Sequence, residues 1–426
     1  MSAIPVSPWA TGAWRLPLLV GVLAGLPAAW AWPLEVGGWR AAGIIAGWLG
    51  LGLWAASLLL VVRGVRLSAW LGGLARMYRW HHGLAGLLYP LLLSHPLLLA
   101  ADLLDEGAPV AWSLLSPLEQ GWAVWSGWLA LATLALGLAL ALQPGLAYRR
   151  WRAWHAGLVV PLLLAVLHLQ ALGLRQLLLG LPVLAAGLLL WRYLGSDCGW
   201  GAHPAEVVAV EHPQAAMIEA TLRPMVGAAP FPMARPGQFV LLAFGHGAGF
   251  AGCGEFHPFT LSEVAAGGDW RVAIKAMGPC SAHLQGLQAG VPLRIQGPFG
   301  EFLGHAGTAP AWWFAGGVGI TPFLARLRAP QALAATRLVY FSRSADAVAY
   351  RDELSVLVEG HPGFSWQLVV AQPGDDLAEH LPTADALAGQ DCYLCGPPAW
   401  MAQVRAELRE RGVPKHRIFF ERFEFR

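Results

Sequence analysis

The sequence has little net charge and few cysteines. Its 28 basic and 26 acidic residues leave a formal net charge of +2, which excludes the strongly basic surface typical of nucleic-acid binding. The five cysteines are an odd number without the spacing of a disulfide scaffold, and all lie in or beside the second half of the chain. This distribution indicates a reducing cytosol for that half. The cysteines are Cys198, Cys253, Cys280, Cys392 and Cys395.

Hydrophobic residues are abundant instead. They make up 56% of the 426 residues, and 22 residues are tryptophan, unlike an ordinary soluble protein. The apolar residues concentrate before about residue 195, whereas charged residues and strand-like segments follow it. We therefore predict a membrane domain over residues 1–198 and two cytosolic domains over residues 199–308 and 309–426.

Six stretches in the first half are long enough to cross about 30 Å of hydrocarbon. They cover residues 15–33, 41–62, 81–102, 122–143, 155–174 and 176–194. Arg15 directly before the first stretch, and Pro27 and Pro33 within it, favour a retained helix over a signal peptide. Arginines occupy alternate connections, so both termini are predicted to face the cytosol across the inner (plasma) membrane.

Four histidines in the third and fifth stretches form a spacing pattern. His81 and His95 are fourteen residues apart, about 21 Å along a helix and within roughly 40° of one face. His155 and His168 are thirteen residues apart, and Pro161 between them is expected to kink or re-phase that helix. The pattern predicts two levels, His81 with His155 inside and His95 with His168 outside, each suited to a bis-histidine haem iron.

Other interpretations of these histidines remain open. A single intramembrane histidine often forms a hydrogen bond to a neighbouring helix, although two pairs at matching depths favour ligands. A metal or proton pathway would favour acidic residues within the stretches, and the sequence has almost none there. His82 lies about 140° around the helix from His95 and is the weaker ligand candidate.

The second half has two patterns. From Glu206 onward, short strands separated by glycine and proline predict a small antiparallel barrel. The predicted strands cover residues 207–211, 217–223, 238–244, 270–275 and 291–296. After Pro310, strands alternate with helices, and a strand over residues 312–315 enters a glycine-rich turn that opens a helix. Such a turn lets backbone N–H groups approach a pyrophosphate. Cys392 and Cys395 form a CxxC, but a strand would point them in different directions, so a redox or zinc pair is disfavoured.

The sequence His257-Pro258-Phe259-Thr260-Leu261-Ser262 resembles the flavin motif of the ferredoxin-NADP reductase superfamily, in the form found in NADPH oxidases and ferric reductases. The resemblance implies FAD and assigns His257 a place near its pyrophosphate. Its other implied flavin-binding residues are Pro258, Phe259, Thr260, Ser262, Lys275, Gly278 and Ser281. His81-His82-Gly83-Leu84-Ala85 is similar to a segment of the same family's membrane half, which supports His81 as the ligand.

The same resemblance implies an NADPH site. Its pyrophosphate loop would comprise Gly316, Gly317, Gly319, Thr321 and Pro322, and Cys395, Gly396 and Pro397 would lie beside the nicotinamide. Phe425 is the candidate aromatic that covers the flavin ring until nicotinamide displaces it. Ser342 and Arg343 follow a strand where the family meets the adenosine 2′-phosphate, and their donors favour NADPH over NADH. Arg343 as an ordinary surface residue remains the alternative.

The predicted fold is therefore an all-α six-helix transmembrane haem domain, an antiparallel β-barrel FAD domain and an α/β NADPH-binding domain. The predicted enzyme is a superoxide-forming NADPH oxidase that carries electrons from NADPH through FAD and two b-type haems to oxygen. Alternatives are a ferric-chelate reductase on the same path and a haem subunit that relays electrons to a partner protein. Arg175 near His168 is a candidate for polarising oxygen. Membrane lipid is expected, but neither a calcium-binding loop nor an obligatory protein partner.

Overall fold

A computed structural model describes residues 14–30, 36–146, 148–174, 180–265, 267–304, 306, 309–372 and 374–421. The chain divides into two compact units, Met1–Ser196 and Asp197–Arg426. The first unit is helical and the second contains the strands.

Nine α-helices are described in the first unit. They are α1 (Arg15–Trp30), α2 (Gly38–Leu60), α3 (Val65–Trp70), α4 (Leu74–Asp102), α5 (Ala108–Leu115), α6 (Trp122–Leu142), α7 (Tyr148–Ala156), α8 (Val159–Ala171) and α9 (Gly180–Trp191). A π-helical turn, Arg192–Asp197, follows the last of them.

Four helical segments in the described residues are long and apolar enough to cross a membrane. They are Gly38–Leu60, Leu74–Glu106, Trp122–Leu142 and Arg150–Ala171. Helix α1 is apolar but shorter. The sixth predicted stretch, 176–194, begins outside the described residues. The prediction of six spans therefore stays a prediction.

The segment that carries His155 and His168 is interrupted. Helix α7 ends at Ala156 and α8 begins at Val159, with a turn at Gly157 and Leu158. Pro161 has no N–H, and its ring clashes with the carbonyl four residues earlier, which is that of Gly157. The Gly157 carbonyl instead accepts from the N–H of Val160 at 3.0 Å. This interruption agrees with the expectation that Pro161 re-phases the helix.

The second unit begins with a closed barrel of six strands, in the order β1-β2-β7-β6-β3-β8, and all its neighbours are antiparallel. The barrel strands are β1 (His203–Gln214), β2 (Met217–Pro224), β3 (Phe239–Phe244), β6 (His257–Val264), β7 (Trp270–Lys275) and β8 (Pro292–Phe299), while β4 (His246–Gly247) and β5 (Phe250–Ala251) form a separate ribbon. Alternate residues fill the barrel interior, including Leu261 and Ile274. The predicted antiparallel barrel is confirmed, although the sequence pattern did not identify β6 as a strand.

A five-stranded parallel sheet follows, in the order β11-β10-β9-β12-β13. Its strands are β9 (Ala311–Gly316), β10 (Thr336–Ser342), β11 (Phe364–Val370), β12 (Asp391–Cys395) and β13 (Ile418–Phe420). The helices of this unit are α10 (Pro279–His283), α11 (Thr321–Arg328), α12 (Arg351–Gly360), α13 (Ala384–Leu387) and α14 (Pro398–Glu410). The predicted α/β domain is confirmed.

The two cysteines of the CxxC belong to different cores. Cys392 and Cys395 are both buried, but Cys392 packs with Val404 whereas Cys395 packs with Ile320, on the other face of the sheet. The strand therefore separates the two thiols, as the sequence predicted, because side chains three apart on a strand point to opposite faces.

A buried ion network joins the barrel to α11 and α12. The Glu219 carboxylate, on β2, is 1% exposed and contacts the guanidinium of Arg328 at 2.8 Å and that of Arg271 at 3.0 Å. The Ser262 hydroxyl donates to it at 2.5 Å, and Arg328 also binds Glu353 at 2.6 Å. Burial alone raises the pKa of Glu219, but the hydrogen bonds and charges of Arg328, Ser262 and Arg271 outweigh it and hold that pKa below its ordinary value.

Arg328→Ala should destabilise the second unit by roughly 3 kcal/mol, because removal of one partner leaves a buried carboxylate with too little compensation. The free energy of unfolding, measured by denaturant titration of the full chain through Trp fluorescence, checks this. Arg223→Ala is the matched control, since Arg223 pairs with Asp269 at the exposed surface. Equal midpoints for the two variants would show that the network adds no stability.

Candidate functional site

The glycine-rich turn and the second nucleotide segment meet at one edge of the parallel sheet. Strands β9 and β12 are adjacent, with Ala315 opposite Cys395. The chain runs from β9 outward to β11 and then returns to the other side of β9, so the strand order reverses between β9 and β12. Open α/β sheets bind their ligands in the crevice at such a switch point. The structure thus brings together Gly316, Gly317, Gly319, Cys395, Gly396 and Pro397.

Two of these glycines are required by the backbone. Gly317 has φ +55°, in the left-handed region that favours glycine. A Cβ on Gly319 would lie 2.0 Å from the Cys395 carbonyl oxygen. The turn, Gly317–Ile320, leads directly into α11, where Thr321 and Pro322 are buried. The Thr321 hydroxyl donates to the Val318 carbonyl at 3.0 Å, so it supports the turn.

Lys275 lies against the nucleotide loop. Its Nζ is 3.6 Å from the position of a Cβ on Gly317, whereas the sequence resemblance placed Lys275 in the second flavin segment. Burial, and then the charge of Arg343, lower the pKa of Lys275. A cation thus lies beside the loop and is close enough to Arg343 to interact with it, an arrangement that suits the charge of a phosphate.

Ser342 and Arg343 differ in exposure. Strand β10 ends at Ser342, which is buried and whose hydroxyl donates to the Ser344 carbonyl at 2.9 Å. Arg343 follows it and is exposed to solvent. Of the two predicted phosphate contacts, Arg343 has the accessible side chain.

The flavin motif lies on β6. His257, Pro258 and Phe259 are half-buried, and Thr260 is 7% exposed. Ser262 is completely buried, and its hydroxyl donates to Glu219 in the ion network. The Ser262 side chain therefore faces a carboxylate that it helps to stabilise, and the prediction that Ser262 binds the cofactor stays a prediction.

Gly278 and Ser281 form a tight turn at the start of α10. The Ser281 hydroxyl accepts from the backbone N–H groups of Met277 at 2.9 Å and Gly278 at 3.0 Å. The hydroxyl of the half-buried Ser281 thus orders the backbone of the predicted second flavin segment.

Glu421 is a buried acidic residue that was not among the residues predicted to form the site. Burial raises its pKa to about 8, and its Oε2 has no hydrogen-bond partner among the described residues. Burial, and then Glu421, raise the pKa of the Cys395 thiol well above its ordinary value, so this predicted catalytic residue is a neutral thiol. The sequence feature that could have identified Glu421 is an acidic residue directly after the apolar strand β13.

Phe425 and Arg175, the other predicted catalytic residues, lie outside the described residues.

Three of the four predicted haem-ligand histidines contact a neighbouring helix through Nδ1. His95 Nδ1 donates to the Gly43 carbonyl at 2.8 Å, and His168 Nδ1 donates to the Ala123 carbonyl at 2.7 Å. His81 Nδ1 contacts Ser57, at 2.7 Å to its hydroxyl and 3.1 Å to its carbonyl. A ring that donates from Nδ1 is in the tautomer whose Nε2 lone pair is available to a metal.

The histidines also pair as the sequence predicted. The rings of His81 and His155 have centroids 6.0 Å apart at an interplanar angle of 74°, and His155 Nδ1 is buried without a hydrogen-bond partner among the described residues. His95 and His168 are close enough to interact electrostatically. His82, by contrast, is exposed on the protein surface. The ligand assignment itself stays a prediction.

Gly319→Ala should abolish NAD(P)H binding, because the new methyl group displaces either the turn or the end of β12 by more than 1 Å. Nucleotide binding to the full chain, measured by calorimetry, checks this. Gly360→Ala is the control, since a Cβ there meets nothing within 4 Å. Unchanged affinity in Gly319→Ala would contradict the placement of the loop.

Glu421→Gln should flatten the dependence of stability on pH. Wild-type Glu421 has a pKa of about 8 in the folded state against an ordinary value of 4.5, so the folded state keeps this proton up to a higher pH than the unfolded state does. Its contribution is full below the ordinary value and is lost as pH rises through about 8. Thermal unfolding midpoints across this pH range should fall less in the variant, whereas the exposed control Glu410→Gln should follow wild type. Identical slopes in Glu421→Gln and wild type would refute this.

Known proteins resemble the chain in its reductase part. Residues 314–406 match the family described as oxidoreductase NAD-binding domain. A flavohemoprotein of Pseudomonas putida is 31% identical over 248 residues, which cover 54% of this chain and 61% of the relative. The chain thus spans 61% of the length of that relative, and 54% and 46% of the lengths of the next two flavohemoproteins matched. Among solved structures, the flavohaem-like FAD/NAD binding domain of nitric oxide dioxygenase from Vibrio cholerae is 24% identical, with a TM-score of 0.45 over 52% of this chain and 98% of that one.

A smaller relative is covered more completely. Ferredoxin-NADP reductase B of Sorangium cellulosum is 30% identical over 166 residues, which are 34% of this chain and 68% of the relative. The antiparallel barrel, the parallel sheet and the glycine turn at its switch point agree with these matches, and the chain is an oxidoreductase with an FAD/NAD-binding module. Through that module, the chain belongs to the ferredoxin-NADP reductase family.

Proposed function

We propose that this protein is a transmembrane NADPH oxidase of the NADPH oxidase and ferric reductase type. In this proposal NADPH reduces FAD on the cytosolic side, and electrons cross the inner membrane through two b-type haems to oxygen, forming superoxide. The domains follow the predicted boundaries, 1–198, 199–308 and 309–426. Membrane lipid and oxygen are its partners, and neither nucleic acid nor an obligatory protein partner is needed.

The observation that carries the proposal is the repeated setting of the histidines. Gly47 lies four residues after Gly43, and a Cβ on it would be 3.0 Å from His95 Nδ1. Gly127 lies four residues after Ala123, and a Cβ on it would be 3.0 Å from His168 Nδ1. Each ring thus approaches a neighbouring helix over a glycine and donates to the carbonyl one turn earlier. Two helix pairs, α2 with α4 and α6 with α8, hold their histidines in the same way.

The inner pair fits a haem iron. His81 and His155 would hold the inner haem: their ring centroids are 6.0 Å apart, which leaves room for one iron bonded to both rings, since transition-metal bonds to imidazole nitrogen are about 2 Å long. Nδ1 of His81 contacts Ser57, which orients its ring. When bound, haem would supply a one-electron carrier at each level.

In the second unit, the residues of the switch point would hold the nucleotide. The turn at Gly316 to Gly319 approaches the pyrophosphate through its backbone, and Lys275 and Arg343 supply positive charge beside it. The exposed Arg343 favours the 2′-phosphate of NADPH. His257, Pro258, Phe259 and Thr260 on β6, with Gly278 and Ser281, would hold FAD, which converts two-electron to one-electron transfer.

Membrane insertion is supported by the four long apolar helical segments and by the arginines in alternate connections. The intramembrane histidines add to this, because an ionisable ring in hydrocarbon is costly and typically functional. A ferric chelate is the alternative acceptor on the same electron path. Arg175, proposed to polarise oxygen, lies outside the described residues.

A second candidate is a flavohemoprotein-like enzyme with a single haem, favoured by the 31% identity to the Pseudomonas flavohemoprotein. The two candidates differ in cofactor stoichiometry. Purified full-length protein should contain two haems per FAD, measured by pyridine haemochrome and flavin absorbance. One haem per FAD in the wild type would favour the second candidate.

His81→Ala should lose the inner haem, about half of the total, because the variant lacks one of the two imidazoles that would hold it. His82→Ala is the matched control, since its ring neighbours His81 in the chain but is exposed. Full haem content in His81→Ala, or equal loss in both variants, would overturn the ligand assignment. NADPH reduction of FAD should persist in both, which separates the haem assignment from folding of the reductase module.

Rapid mixing identifies the acceptor. Protein reduced anaerobically with NADPH is mixed with oxygen or with a ferric chelate, and the absorbance of the reduced carriers is followed. The oxidase requires fast reoxidation by oxygen with superoxide, detected by cytochrome c reduction that superoxide dismutase suppresses. A reduced spectrum that persists in air would exclude the oxidase, and reoxidation by the ferric chelate alone would indicate a ferric reductase.

A further inference from the structure

Two cysteines and a histidine meet beside the flavin motif. The Sγ atoms of Cys253 and Cys280 and a ring nitrogen of His257 all lie within 4.8 Å of one another. Cys253 Sγ is 3.5 Å from His257 Nε2. We propose that Cys253, His257 and Cys280 form a binding site for a soft divalent transition-metal ion, with Zn²⁺ as the ion that fits best.

The donor set determines the class of ion. Two thiolates and one imidazole favour Zn²⁺ and similar ions over Mg²⁺ or Ca²⁺, which prefer oxygen ligands. In tetrahedral zinc with bonds of about 2.3 Å to sulfur and about 2.1 Å to nitrogen, a sulfur and a nitrogen ligand lie about 3.6 Å apart. The observed 3.5 Å between Cys253 and His257 meets this requirement. Three protein ligands leave the fourth position to water.

The backbone holds the first two ligands in place. A Cβ on Gly252 would lie 2.1 Å from the Phe244 carbonyl oxygen, so the chain beside Cys253 packs directly on the end of β3. The N–H of Gly254 donates to the same carbonyl at 3.1 Å. His257 begins β6, where it pairs with Leu242 of β3. Both ligands are therefore anchored to one strand.

His283 holds the third ligand close to the other two. Its Nε2 donates to the Ala251 carbonyl at 2.9 Å, and its ring stacks on Phe250 with centroids 5.0 Å apart. His283 ends α10, the helix that carries Cys280, and Ala251 lies two residues before Cys253. This contact ties the two cysteine segments together without using a proposed ligand. Cys253 is exposed and the other two ligands are half-buried, so an ion can enter from solvent.

Occupancy has a consequence for the flavin, which rests on the proposed function. His257 is also the residue expected near the FAD pyrophosphate, and Cys280 lies between Gly278 and Ser281 of the second flavin segment. A metal ion bound at His257 Nε2, the nitrogen that lies 3.5 Å from Cys253 Sγ, leaves that nitrogen no proton to donate to a phosphate, and the ion would lie between the two segments that are expected to contact FAD. Metal binding and FAD binding should therefore exclude each other.

Co²⁺ is a suitable spectroscopic probe of the site. Full-length protein, freed of flavin and kept reduced under argon, is titrated with Co²⁺. One equivalent should produce thiolate-to-cobalt charge-transfer bands and the visible bands of tetrahedral cobalt, and Zn²⁺ should abolish them stoichiometrically. Absence of these bands would overturn the proposal.

Three cysteine variants locate the site. Cys253→Ser and Cys280→Ser should each weaken Co²⁺ binding at least about tenfold, with circular dichroism unchanged. Cys198→Ser is the matched control, because Cys198 is an exposed cysteine outside the cluster, and it should bind as wild type does. Wild-type affinity in both cluster variants, or equal loss in the control, would refute the site.

Cobalt titration with and without FAD distinguishes the metal-site proposal from the assignment of His257 to FAD. Prior loading with FAD should suppress the cobalt bands and excess Zn²⁺ should slow FAD rebinding. If cobalt binds through the cysteines while FAD has no effect, the metal site stands and the assignment of His257 to FAD fails. If FAD binds and cobalt produces no thiolate bands, the metal site fails and the reductase assignment stands.

Discussion

The reductase module depends on the ion pairs and the hydrogen bond of the buried Glu219 carboxylate. Ser262, which donates to it, ends the flavin motif, and Arg328, which neutralises it, ends the helix opened by the nucleotide turn. The network therefore links β6, the strand that carries the flavin motif, to α11, the helix that follows the glycine-rich turn. Hydride transfer requires contact between the flavin and nicotinamide rings. A buried, directional set of charges fixes β6 and α11 relative to each other, which such contact would need.

A comparable constraint operates among the apolar helices. A buried imidazole must satisfy both nitrogens, and the observed geometry satisfies Nδ1 through a helix carbonyl that only a small neighbour leaves accessible. Gly47 and Gly127 permit the approach of His95 and His168. The close approach of each ring to a helix carbonyl thus accounts for Gly47 on α2 and Gly127 on α6.

Much of the fold could be predicted from local pattern. Strand β7 was predicted with its observed ends, and the glycine turn before α11 was recognised, because alternation and glycine chemistry are local properties. The strand β6 was missed, since its residues were interpreted only as a motif. Ser262 and Lys275 were assigned to FAD, yet Ser262 meets Glu219 and Lys275 meets Gly317. Both partners are distant in the chain, so no local pattern reports them.

The sequence by itself determined the apolar first half, the order of barrel and parallel sheet, and the residue types available for chemistry, because hydrophobic periodicity and glycine placement act over short stretches. Only the tertiary structure decided other partners: Ser262 with Glu219, Gly319 against Cys395, and Cys253 with His257 and Cys280. Burial, and with it the raised pKa of Glu421, arises from segments that pack from far along the chain. These distances are set by packing, which spacing in one sequence does not encode.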